Sequence, residues 1–334
     1  MAKSVVSYGV YVPFLRIKRD EYLIALGSCG ADMKEKAVMD IDEDVITMAV
    51  EAARDATAGL DTGGIGVLAL ASANFPYQEK VMAGTMVEAL GLNNDVLTSH
   101  HGNSTLAGSE AFLAAMGLLD QTDRKYALVV ISDAPAAGVS EDMDHGLGAG
   151  SCAFVLAKDG PGLEFGGVYA YSGEYMGLRY RLPGETEIRD IGVRAYSSMA
   201  FNEAARSSVA GLLAKLGRVP GDYRHIVLPQ ADVKASLALA GKMGFSEEQL
   251  REGLVFDRVG DTGACSPFLG LCSVLDCAAP GDKIIVCSYG AGGGSHALSF
   301  NLSVPPQKRK AVRDLLDRKR YINYIHYLKL KKII

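Results

Sequence analysis

One pattern, which occurs twice, constrains this chain most. YALVVISDA (126–134) leads through the glycines of GLGAGSCAFVLA (146–157) into a second apolar strand, and KIIVCSYGAGGGSHALSF (283–300) makes the same passage. A helix followed by a strand also recurs, as VEAARDATAGL before GVLALASA and as VAGLLAKLG before HIVLPQA. Short, continuously apolar runs of strand length suit strands covered on both faces, and they alternate with Ala-rich helical segments. The expected class is α/β with a mainly parallel sheet, built from a duplicated unit that divides near residues 158–170.

Helix boundaries are marked locally. Asp42 to Asp44 precede VITMAVEAARDATAGL, where acids favour the positive end of a helix dipole, and Gly59 is the expected stop. A helix is expected from near Asp20, another over 81–92 closed by Gly91, and a third over 197–217 closed by Gly217. SVVSYGVYVP near the start reads as a strand.

With 49% hydrophobic and 22% charged residues over 334 positions, the chain is too apolar for disorder and long enough for one large or two ordinary domains. A net charge of −5 argues against a nucleic-acid-binding protein. No run approaches 18 apolar residues, and MAKSVVSYGVYVP lacks the apolar core of a secretory signal, so no membrane association and a cytoplasmic location are expected. The six cysteines form no C-x-x-C pair and read as reduced, packed thiols, and no metal site is expected. The charge is uneven: residues 303–334 carry +8 and the rest −13. A basic tail of this kind is expected to pack on the acidic body or on a partner.

Several loops carry candidate chemistry. Four glycines within SYGAGGGSHA let backbone amides crowd a ligand, which makes Gly290, Gly292, Gly293 and Ser295 candidates for a pocket or oxyanion site. The segment lacks the GK[ST] of a phosphate loop, and a tight turn between core strands explains it equally well. SHHGNST (99–105) precedes a helix, so His100 or His101 could serve as a base or anion ligand, against a plain polar loop capped by Ser104 or Thr105. SANFPY, SDAPAAG and PQAD follow apolar strands, where ligands sit in α/β sheets, and Asp261 opens GDTGACSP. Together these loops suggest one pocket beside the sheet.

In this order the segments resemble the thiolase superfamily, and within it 3-hydroxy-3-methylglutaryl-CoA synthases of the archaeal and bacterial type. The resemblance rests on SYGVYVP, DEDVITMAVEAARDA, AGTMVEALGL, AGSEAFLAAMGLL, GDTGACSPFLGLCSVLDCAAPGDKIIVCSYGAGGGSHA and RKRYINYIHYLK, and spans nearly the whole chain. It implies a thiolase-like, duplicated five-layer αβαβα fold with halves at 1–165 and 166–302, followed by the tail 303–334, and a homodimeric core. It also implies a CoA thioester as ligand, with no covalently bound cofactor.

Active synthases of this family use a Cys nucleophile, a Glu acid/base and a His. The matching positions here are Gly102 or His101 for the cysteine, Ala73 in ANFPY for the glutamate, and Pro229 in PQAD for the histidine; an Asn-Thr pair becomes Asp261-Thr262. Without these groups the family's acyl-enzyme route is closed. The chain is also similar to the synthase-like subunit of bacterial monoacetylphloroglucinol acetyltransferase, notably in VGDTGACSPFLGL and SYGAGGGS. That similarity implies a non-catalytic or divergent subunit of a multi-subunit acyltransferase, beside a thiolase-like catalytic subunit and a small zinc-ribbon/OB-fold protein. The alternative is an active aldolase or acyltransferase that draws its acid and base from His100, His101, Asp232 and Asp261.

Overall fold

A computed structural model describes residues 3–139, 141–230 and 232–334. In chain order the first half contains β1 (Ser4–Tyr11), β2 (Leu15–Lys18), α1 (Arg19–Leu26), β3 (Glu35–Val38), α2 (Val45–Thr57), β4 (Ile65–Ser72), α3 (Ala83–Leu90), β5 (Leu97–Gly102), α4 (Ala107–Leu119), β6 (Tyr126–Asp133), α5 (Asp142–Gly146) and β7 (Gly150–Ala157). The second contains β8 (Leu163–Ser172), α6 (Arg194–Leu216), β9 (His225–Val227), α7 (Val233–Lys242), α8 (Glu247–Arg251), α9 (Phe256–Val259), α10 (Ser266–Leu275), β10 (Lys283–Gly290) and β11 (Gly294–Leu302). The tail folds as α11 (Val312–Asp317), β12 (Arg320–Ile322) and α12 (Tyr324–Leu330).

The helix signals act through identifiable bonds. Asp44 caps α2 by accepting from the amides of Ile46 and Thr47, while Thr47 Oγ1 accepts from the Asp44 amide. Gly91 and Gly217 end α3 and α6 in the left-handed conformation that glycine adopts without penalty.

The strands form one sheet in the order β5-β4-β6-β7-β1-β8-β11-β10-β9. The sheet is mixed, which corrects the expectation of a mainly parallel one. β4 pairs parallel with β5 and β6, and β10 with β9, whereas β7 and β11 return antiparallel to β6 and β10. The recurring apolar passages are these two antiparallel returns, so the repeated pattern is a repeated pair of strands. β1 and β8 join the halves through two residue pairs, Ser4–Glu164 and Val5–Leu163. A division at 165/166 therefore falls inside β8.

Alternate residues of each strand enter different helical layers, as a period of two requires. Leu68, Leu128 and Val155 pack under α2 and α3. Val129, Phe154, Val286 and Phe300 face the central helices α4 and α10. Ile226, Ile285 and Ala297 face α6 and α7. Three helical layers interleaved with two sheet halves give the five-layer arrangement. At its centre Phe112, Phe154, Phe268 and Phe300 bring both halves together, with ring centroids 5.6–6.1 Å apart.

The basic tail packs on the body. β12 adds parallel to β2 in a second sheet, β12-β2-β3, and Val312, Leu315, Leu316, Tyr324 and Tyr327 are buried. Its charges meet body acids in the pairs Lys308–Asp276, Lys310–Asp55, Lys319–Glu35 and Lys331–Asp144. No helix among the described residues is long and apolar enough to cross a membrane.

Candidate active site

The cleft nearest the expected chemistry opens beyond the C-terminal ends of β4 and β6, the usual place for a ligand in an α/β sheet. Ala73 and Asn74 come from the end of β4, Pro135 and Ala136 from the end of β6, Asn103, Ser104 and Thr105 from the approach to α4, and Ala291 from the glycine turn. Arg179, Tyr180, Arg181 and Ile188 come from the long connection between β8 and α6. The cavity measures about 70 Å³. Such a space admits several waters or a small polar group such as a carboxylate.

The walls are fixed by hydrogen bonds. Arg181 reaches across and donates to the Asn74 side-chain oxygen and the Ala73 carbonyl. Arg179 Nη1 donates to Asp261 Oδ2 at 2.6 Å, while its Nη2 is buried without a partner. Thr105 Oγ1 donates to the Tyr289 carbonyl at 2.7 Å, and Ser104 Oγ accepts from the Leu106 amide. Beneath, the fully buried Asp133 accepts from Ser72 Oγ and from the amides of Ala73, Ala134 and Ala264. Burial pushes the pKa of Asp133 up, against these amides and the charge of Arg179, which pull it down.

Two lining residues, Asn103 (φ 62°) and Arg179 (φ 37°), hold left-handed backbone conformations. Side chains other than glycine rarely adopt that region, and such strain concentrates where a surface is shaped for a ligand.

The structure places the two positions matched to the nucleophile in a strand. Gly102 and His101 lie in β5, paired with Ser72 and Ala71, and α4 starts only at Ala107. Ser104 and Thr105 are the residues that approach the helix and face the cleft. SHHG is thus a strand rather than a loop: Leu97–Gly102 has no apolar alternation, and it becomes a strand because β4 offers a parallel edge. Ala73, at the glutamate position, does line the cleft, whereas Pro229, at the histidine position, does not.

The alternative set of His100, His101, Asp232 and Asp261 is not brought together, and none of the four lines the cleft. His100 Nε2 accepts from the Ala83 amide, and His101 Nε2 bonds Ser99 Oγ. Partial burial holds the pKa of both histidines below the ordinary value, with His101 adding to the shift at His100. Asp232 caps α7 through the amides of Lys234 and Ala235. Asp261 is committed to Arg179 and the Gly263 amide.

The glycine turn serves mainly as structure. Gly290 lets the turn seat against the approach to α4, because a Cβ there would lie 3.0 Å from Ser104 Oγ. The carbonyls of Gly292 and Gly293 accept from Tyr175 and Gly173, and the buried Ser295 bonds Ser208 Oγ at 2.8 Å. Of this turn only Ala291 lines the cleft. Sequence reasoning missed Arg179 and Arg181. The signal available was the long polar connection that carries them, since connections of that length are commonly functional.

Among the described residues, no group of three or more His, Cys, Asp or Glu is placed to hold a metal ion.

Known proteins resemble this chain over its whole length. The hydroxymethylglutaryl-CoA synthases of Pyrobaculum arsenaticum and Caldivirga maquilingensis are 32% and 33% identical to it, each match covering 100% of this chain and 99% of the relative. Residues 213–302 match the family described as 3-oxoacyl-[acyl-carrier-protein (ACP)] synthase III C terminal. A solved HMG-CoA synthase complexed with CoA superposes with a TM-score of 0.87 at 21% identity, over 98% of this chain and 90% of that one.

Proposed function

The chain belongs to the hydroxymethylglutaryl-CoA synthase family, and from that premise we propose that it is a divergent member without thiol chemistry, a synthase-like subunit of a thiolase-type acyltransferase complex acting on CoA thioesters. The observation that carries this reading is that none of the six cysteines lines the cleft. Cys152, Cys265, Cys272 and Cys287 are fully buried, and burial raises the pKa of Cys152, Cys272 and Cys287, the opposite of what a nucleophilic thiol needs. The position matched to the glutamate presents the methyl group of Ala73. A solved relative holds CoA, which supports a CoA thioester as the ligand. The strand β5, exposed along the sheet edge, leaves room for a second copy in a homodimer. The partners in this reading are a thiolase-like catalytic subunit and a small zinc-ribbon/OB-fold protein.

The test is to incubate the purified chain with acetyl-CoA and acetoacetyl-CoA, following both turnover and intact mass. No acyl-enzyme and no turnover are expected from the chain alone, with activity appearing when co-purifying subunits are restored. Acylation or turnover by the isolated chain would overturn the proposal.

A further inference from the structure

The cleft has an electrostatic character that the loss of a thiol does not require. Among the described residues, its only charged lining residues are Arg179 and Arg181, and no Asp or Glu lines it. The two arginines differ. Arg179 is balanced by Asp261, yet leaves Nη2 buried and unpartnered. Arg181 has no ion pair among the described residues, and its donors rest on two neutral oxygens, the Asn74 amide and the Ala73 carbonyl. Neutral acceptors satisfy the hydrogen bonds without offsetting the charge, so a half-buried guanidinium in this position is better matched by an anion.

The other groups facing the space also have donors to spare. Ser104 Oγ is occupied as an acceptor from Leu106, which leaves its hydroxyl proton free, and the Asn103 side chain has no partner among the described residues. The thirteen-residue helix α4 begins two residues beyond Thr105 and adds its positive end to the arginines.

We propose that this cleft is an anion-binding site built for a carboxylate, taken by the guanidinium N–H groups that Arg181 does not use on Asn74 and Ala73, together with Ser104 and Asn103, in the field of Arg179. It names a ligand class for the cleft treated above as the acyl site, and to that extent rests on that reading. A planar carboxylate matches the two parallel donors of a guanidinium, and a space of about 70 Å³ takes such a group with its neighbouring carbon. The carboxylate arrives either as a free short-chain acid or as the far end of a carboxyacyl thioester.

Isothermal titration of the full chain with malonate, inorganic phosphate, malonyl-CoA and acetyl-CoA tests this, with Arg181→Gln and the exposed Arg189→Gln as variants and circular dichroism to confirm folding. Malonate is expected to bind saturably at one site, more tightly than phosphate. Binding should weaken at least tenfold in Arg181→Gln and stay unchanged in Arg189→Gln. A preference for malonyl-CoA over acetyl-CoA that disappears in Arg181→Gln identifies a thioester-borne carboxylate, and equal binding of malonate and malonyl-CoA identifies the free acid. No saturable malonate binding by the folded wild-type chain, unchanged binding in Arg181→Gln, or tighter binding of phosphate overturns the assignment. Acyl-enzyme formation would defeat the functional reading and leave the anion site standing, so the two fail separately.

Discussion

Gly108, in the first turn of α4, shows how one residue sets the spacing of the central layer. A Cβ added there would lie 2.7 Å from the Ala264 carbonyl and 3.0 Å from the Phe268 ring. Alanine would gain about 1 kcal/mol in helix propensity. Pushing α4 away from a backbone carbonyl costs about 1–3 kcal/mol, so packing decides the sign. Gly108→Ala is expected to destabilise the protein by about 1 kcal/mol, read as a lower urea midpoint at unchanged slope. An unchanged or raised midpoint would show that α4 and α10 can separate freely. The same scale explains why the site was only half legible. Ala73, in the ANFPY that directly follows an apolar strand, lines the cleft, whereas SHHG reads as a loop and folds as β5, which carries no apolar pattern of its own.

Among the elements, the tail shows charge and packing acting together. Pairs such as Lys308–Asp276 are partly exposed and contribute little individually. The buried contact is Tyr327 of α12, whose hydroxyl donates to Asp144 Oδ2 at 2.6 Å and lies 3.0 Å from the buried Lys36 Nζ. Tyr22 of α1 and Lys331, just beyond α12, complete the cluster, with Lys331 3.4 Å from Asp144 Oδ1. Burial lowers the pKa of Lys36 to about 7. Tyr327→Phe keeps the ring and removes the hydroxyl, leaving a buried carboxylate with one donor fewer. The expected loss is about 1–3 kcal/mol, and protease cleavage within 303–334 should accelerate. If stability fell with no faster cleavage there, the hydroxyl would not be what fastens the tail. The sequence showed an excess of +8 in this segment. It did not show that the excess answers acids from β3, α2 and α5, because those residues are brought beside the tail only by folding.

For the whole molecule, acid sensitivity follows from the histidines. His100, His101, His145, His225 and His296 all have pKa values lowered by burial. Below about pH 6.5 the unfolded chain therefore binds more protons than the folded one, and stability falls as pH falls. Asp55 and Asp133, raised by burial, oppose this by taking up protons in the folded state, but they are two against five. The urea midpoint is expected to drop between pH 7.5 and 5.5, and to drop less in His296→Gln, whose ring Nδ1 bonds Ser109 Oγ. A flat or rising midpoint would mean that the carboxyls dominate.

The sequence by itself determined the order of elements and their doubling. Capping residues, terminal glycines and continuous apolar runs act within a few residues of chain, so α2, α3, α6, β4, β6 and the two strand–glycine–strand passages are readable before any tertiary contact is known. The tertiary structure alone decided the direction of strand pairing, the place of the tail and the composition of the cleft. Residues 73–74, 103–105, 135–136, 179–181, 188 and 291 meet only after the sheet has formed. No local pattern records that meeting, and the arginines of the cleft come from a connection whose course is set by the strands and helices it joins.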